Sequence, residues 1–99
     1  MAKSKWPFRE PTNEATITVR QVVEGGQPIL LIARDAEEGG WQFLTGGEFS
    51  MDDGMVVGLE EMWELDPTIA EVADLEPGWE ATRERVGGPW KRNEQEDQA

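Results

Sequence analysis

The chain predicts an α+β domain: a small antiparallel sheet of three to four strands with two to three helices packed on one face. Three observations lead there. A short β-branched run (Ala15–Thr18) precedes a continuous apolar run (Pro28–Ala33) and a second strand-like run (Trp41–Thr45). A helical spacing of apolar residues follows between Met55 and Trp63, and an alternating stretch follows Pro77-Gly78. Runs of strands with interspersed helices, rather than regular β–α alternation, mark the α+β class.

Each element has a local reason. Pro7 and Pro11 bracket an extended lead-in whose Trp6 and Phe8 pack on the body of the domain. Ala15–Thr18 is β-branched and suits a strand. Thr18 then caps a helical turn through Val19–Glu24, which Gly25-Gly26 stops. Pro28–Ala33 is apolar throughout, as a strand buried on both faces would be. Asp35–Gly40 is a polar turn, and Trp41–Thr45 returns from it as an antiparallel hairpin partner. Ser50, Asp52 and Asp53 open a helix in which Met55, Val56, Leu59, Met62 and Trp63 share one face and Glu60, Glu61 and Glu64 point away. Asp66-Pro67 ends it and starts another, with Ile69, Val72 and Ala73 on its apolar side. Trp79–Val86 alternates as a half-exposed strand, with Arg83 and Arg85 on the face of Trp79 and Ala81.

At 99 residues the chain holds one hydrophobic core. The expected organisation is a disordered N-terminus (1–5), a single domain (6–92) and a disordered acidic tail (93–99). No apolar run approaches the ~20 residues a membrane helix needs. Met1–Lys5 lacks the apolar centre of a signal peptide, so a cytoplasmic location is expected.

Composition removes whole classes of chemistry. With no cysteine and no histidine, disulfides, thiolate or imidazole metal sites, cysteine nucleophiles and histidine-dependent triads are excluded. Nor is there tyrosine, and lysines number only three, which narrows general acid–base chemistry further. The glycine pairs precede no phosphate-loop lysine and form no dinucleotide fingerprint. Asp53-Gly54 with Glu60 imitates part of a calcium loop, but Phe49 and Met51 fall where the first ligands belong. No cofactor and no metal are expected, and the domain reads as non-enzymatic. A carboxylate-dependent enzyme using Mg²⁺ or Ca²⁺ is the weaker alternative, since no spacing singles out a working pair of acids.

The formal net charge is −12, and its distribution is uneven. Residues 1–34 carry a net +2 and residues 83–99 a net zero, whereas residues 35–82 hold fourteen acids and no Lys or Arg. That argues against nucleic acid, whose phosphates are met by Lys and Arg. The acidic block also holds apolar residues from Trp41 to Leu75, so it is expected to fold and expose a face of nearly one sign. Two roles fit it: solubility in a small housekeeping or structural protein with no dedicated ligand, or an interface for a basic protein partner. The interface would draw on Asp35, Glu37, Glu38 and Trp41 from the hairpin turn and on Glu60, Glu61 and Glu64 from the helix. A monomer or weak homodimer is expected. For the five tryptophans, packing in the core is the default role, with Trp41 the least settled because it directly follows the acidic turn.

The segments Trp6-Pro7-Phe8, Asn13-Glu14-Ala15, Thr18-Val19-Arg20-Gln21-Val22, Trp41-Gln42-Phe43-Leu44, Leu59-Glu60-Glu61, Asp66-Pro67 and Gly78-Trp79 together resemble a family of small uncharacterised bacterial proteins. The resemblance spans roughly residues 6–90 and rests on turns, caps and tryptophans. That family looks related to a wider domain-of-unknown-function group with immunity-protein-like members in toxin–antitoxin neighbourhoods. This second likeness rests mainly on Gly40-Trp41-Gln42-Phe43 and its adjoining acidic loop. It implies a protein that neutralises a basic toxin by presenting acidic side chains, and it carries over no active-site residues.

Overall fold

The computed structural model describes residues 6–95. β1 (Ala15–Val19) runs into α1 (Arg20–Val23), and β2 (Leu31–Arg34) and β3 (Trp41–Leu44) form a hairpin. A 3₁₀ turn at Met51–Asp53 leads to β4 (Gly54–Gly58) and α2 (Leu59–Leu65). A second 3₁₀ helix (Pro67–Val72) precedes β5 (Trp79–Thr82) and β6 (Lys91–Glu94). The six strands form one sheet in the order β4-β1-β3-β2-β5-β6. The α+β class holds, but the sheet is larger than three to four strands and is mixed, because β1 and β3 run parallel.

Two of the extra strands come from segments whose local pattern pointed elsewhere. Residues 54–58 carry part of the helical spacing yet form β4, antiparallel to β1 from Ala15↔Gly58 to Val19↔Gly54. Val56 and Val57 are β-branched and lie between two glycines, so the helix lacks a strong hold there and cross-strand pairing prevails. The helix begins only at Leu59, where the Glu61 carboxylate accepts from the Gly58 amide at 3.3 Å. β6 is Lys-Arg-Asn-Glu, exposed at every position, and has no apolar pattern to announce it. It includes Asn93 and Glu94 from the expected acidic tail, and the Gln95 side chain donates to the Arg34 and Trp79 carbonyls. The remaining terminal residues, 1–5 and 96–99, lie outside the described residues.

Register separates the two faces of the sheet. One row runs Met55–Thr18–Phe43–Ile32–Ala81–Arg92 through successive partners. Its central members are fully enclosed, and they pack with Leu59 and Met62 of α2 and with Ile69, Val72 and Leu75 beyond it. Each of those aliphatic side chains contributes about 1.5–3 kcal/mol on burial. Thr18 serves this interior rather than capping α1: its hydroxyl donates to the Phe43 carbonyl at 2.7 Å. The alternate row runs Val56–Ile17–Gln42–Ala33–Glu80–Asn93, and Val56 and Ile17 remain 69% and 45% exposed.

An aromatic chain closes the core on the lead-in side. Trp63 meets Trp6 edge to face at 5.4 Å, Trp6 meets Phe8, and Phe8 meets Trp41 edge to face. Trp41 stacks on Phe43 at 5.9 Å with the planes 5° apart. Among the described residues no helix is long and apolar enough to cross a membrane.

Candidate acidic interface

Strand direction decides where the acids go. The starts of β1, β3 and β5 and the ends of β2, β4 and β6 share one end of the sheet, as the pairs Ala15↔Gly58, Arg34↔Trp41 and Trp79↔Glu94 require. The Asp35–Gly40 turn joins β2 to β3 there, and α2 leaves β4 there. β3 and β4 are separated only by β1. At a strand spacing of about 4.8 Å, the turn and the helix start are thus carried on ladders about 10 Å apart. Residues far apart in sequence (Asp35, Glu37 and Glu38; Glu60 and Glu61) therefore emerge at the same end, and all are exposed.

Within that set the carboxylates do different work. Asp35 folds back on its own turn, with Oδ2 accepting from the Glu37 amide at 3.1 Å and the Glu38 amide at 2.6 Å. This side-chain mimic of a turn is a common use of aspartate. Glu61 caps α2 through the Gly58 amide. The Glu37, Glu38 and Glu60 side chains make no such contact among the described residues, and all three residues are exposed. A shallow hollow of about 340 Å³, lined by Thr12, Asn13, Gly58, Glu60 and Glu61, sits beside the helix start. Glu64 lies one turn along α2, which heads toward Asp66 and the opposite end of the sheet, where that aspartate meets Arg83.

Trp41 departs from the expected interface. It is 1% exposed. Strand alternation puts it on the same face as Phe43, and so into the core rather than onto the surface of the turn. The Arg34 guanidinium lies 4.6 Å from the centre of its ring. Arg34 in turn holds the acidic end together. Its Nε donates to the Gly39 carbonyl at 2.9 Å, Nη1 to the Leu75 carbonyl at 2.8 Å and Nη2 to Glu10 at 3.0 Å. One half-buried cation thereby fixes the turn, the lead-in and the segment after the second 3₁₀ helix.

Four ion pairs occur among the described residues: Arg20–Asp53, Arg34–Glu10, Arg83–Asp66 and Arg92–Asp74. None uses Asp35, Glu37, Glu38, Glu60, Glu61 or Glu64. Two of these paired acids, Asp53 and Asp74, have lowered pKa values. The Ser50 amide and the Gln21 side chain, with Arg20 nearby, hold the Asp53 carboxyl below its ordinary 3.8. The Arg92 guanidinium does the same for Asp74. The opposite end of the sheet is mixed in sign, with Arg83, Arg85, Lys91 and Glu84 around a hollow of about 480 Å³. The apolar edge strand β4 ends where α2 begins, and its sequence signal is masked because Met55 and Val56 also satisfy the helical period of Leu59, Met62 and Trp63.

No family model matches the chain, and no curated protein and no solved structure is significantly similar to it.

Proposed function

We propose that the domain is a non-enzymatic binding module whose acidic end engages a basic protein partner, in the manner of an immunity protein covering a basic cleft. The observation that carries this reading is the convergence of the Asp35–Gly40 turn and the start of α2 at one end of the sheet. Convergence matters because opposite charges steer association only when they face a partner together. Solubility alone has no need of it, since scattered acids serve that purpose equally well. Glu37, Glu38 and Glu60 form the contact surface, while Asp35 and Glu61 shape it and Trp41 supports it from beneath.

The test is capture of the partner at about 50 mM and about 500 mM salt, where screening lengths differ roughly threefold. The triple variant Glu37→Lys/Glu38→Lys/Glu60→Lys is run in parallel. Retention at low salt, loss at high salt and loss with the triple variant support the reading. Retention by the variant, or absence of any captured basic protein, overturns it in favour of a solubilising surface.

A further inference from the structure

The two edges of the sheet are built from opposite materials. β6 is Lys91-Arg92-Asn93-Glu94, exposed throughout, and charged side chains on an edge strand deter further pairing. β4 is Gly54-Met55-Val56-Val57-Gly58, with no charge and no proline. Among the described residues no strand follows it on the side away from β1. An uncharged edge of this kind is a template for another strand; here Val56 supplies the outward amide and carbonyl, because the Gly54 amide is already bonded to the Met51 carbonyl and the Gly58 amide to the Glu61 carboxylate. Side chains add to the template. Val56 and its register partner Ile17 are 69% and 45% exposed, so a strand laid along β4 would extend their apolar strip and cover its outer side.

The flanks of β4 select the occupant. Asp52 and Asp53 precede the strand, and Glu60 and Glu61 follow it closely. Asp53 is engaged by Arg20 and Gln21 and Glu61 by the Gly58 amide, and Asp52, Glu60 and Glu61 take part in no ion pair among the described residues. A second copy of this chain is a poor occupant in either direction. Antiparallel self-pairing brings the Asp52 end against the Glu60–Glu61 end, and parallel self-pairing sets each acidic flank on its own counterpart. Like charges placed opposite each other across a strand pair are destabilising. A strand with basic residues at both ends meets the opposite situation at each flank.

We propose that β4 is a docking edge for an extended segment of a basic partner, which joins the sheet as a seventh strand with its basic ends toward Asp52 and Glu60–Glu61. The inference rests on the basic-partner reading above and adds its mode: backbone pairing along β4 supplies the contact, and the acidic flanks supply the choice of sequence.

The probe is a short synthetic peptide of alternating valine and threonine with lysines at both ends, titrated into the isotope-labelled full chain at low ionic strength. The expected result is shifted and exchange-protected amides along β4, centred on Val56, with β6 unaffected. The same peptide N-methylated at alternate backbone nitrogens keeps its charge but loses half its donors, and is expected to bind at least about tenfold more weakly. A version ended in glutamates is expected not to bind. Val56→Pro, its β1–β3 amide spectrum unchanged, should weaken the lysine peptide comparably; if it does not fold, the methylated peptide still decides. Equal binding of plain and methylated peptides overturns strand docking while leaving the basic-partner reading intact. Equal binding of lysine- and glutamate-ended peptides overturns the selection by the flanks. No binding of the lysine-ended peptide overturns the inference, and the charge-reversal capture above then judges the basic-partner reading separately.

Discussion

Asp66 Oδ2 accepts from Arg83 Nη2 at 2.8 Å, and the arginine side chain in this pair is completely enclosed. Its Nε donates to the Ile29 carbonyl at 3.0 Å, Nη1 donates to the Thr68 hydroxyl at 2.8 Å, and the guanidinium lies 4.1 Å from the Trp90 ring centre. Asp66 is itself the cap of the second 3₁₀ helix, accepting from the Thr68 amide at 3.0 Å. One cation thus joins the end of β5, the approach to β2, the helix junction and the loop toward β6. An arginine fits here because its planar fork serves several acceptors at once.

Arg83→Ala leaves Asp66 without its cation and the Ile29 carbonyl and Thr68 hydroxyl without their arginine donors, and is expected to cost about 3–5 kcal/mol in urea unfolding. Arg83→Lys keeps the charge but not the fork, and should cost about 1–3 kcal/mol. In a double-mutant cycle with Asp66→Asn the two losses should fall short of additivity, since both remove the same pair.

Gly39 tests how the acidic turn is held. Its φ is +75°, and a Cβ there would lie 2.9 Å from Arg34 Nη2. Gly87 has a similar φ of +86° with open space around the Cβ position. Gly87→Ala should therefore cost only the backbone penalty, roughly 1 kcal/mol. Gly39→Ala should cost more, by roughly a further 1 kcal/mol, because displacing Arg34 also disturbs its bonds to Glu10 and Leu75. Thermal unfolding of the two variants side by side measures the difference.

Acid sensitivity follows from Asp53 and Asp74. Both have folded-state values depressed below 3.8, Asp53 chiefly by the Ser50 amide and Asp74 chiefly by Arg92. Their contribution is fully present above the unfolded-state value near 3.8 and is lost as pH falls through the lower folded value. Asp53→Asn and Asp74→Asn should each flatten the fall in stability below about pH 4 while changing little of its slope above about pH 5. Unfolding midpoints across pH 2–7 check this.

The charge-reversed chain Glu37→Lys/Glu38→Lys/Glu60→Lys should fold as the parent does, with stability within about 0.5 kcal/mol, because none of the three side chains makes a hydrogen bond or ion pair among the described residues. Asp35→Lys, in contrast, removes the side-chain acceptor of the turn and Glu61→Lys the cap of α2, and each should cost about 0.5–2 kcal/mol. Circular dichroism with urea titration separates these folding effects from any loss of partner binding.

Much of the architecture was legible from residue order. The β2–β3 hairpin follows from an apolar run, a polar turn and a second apolar run. The Asp66-Pro67 junction follows from an N-cap aspartate and a proline in the first helical turn, and the concentration of acids between residues 35 and 82 needs only counting. These features depend on neighbours a few positions away, where φ/ψ preference and side-chain periodicity act directly. Other features turned on contacts between distant residues. Gly54–Gly58 is a strand because β1 lies beside it, although Met55, Val56 and Leu59 also satisfy a helical period. Lys91–Glu94 is a strand because β5 offers it a free edge, and four polar residues contain no period of their own. Trp41 could have pointed either way at the mouth of the turn, and the packing of Phe8 and Phe43 around it decided. The helix junction, the hairpin and the sign of the charge are thus local properties of residue order, whereas strand pairing, the end that collects Glu37, Glu38 and Glu60, and the place of β4 at the rim of the sheet among the described residues depend on long-range register and burial, which local preference does not encode.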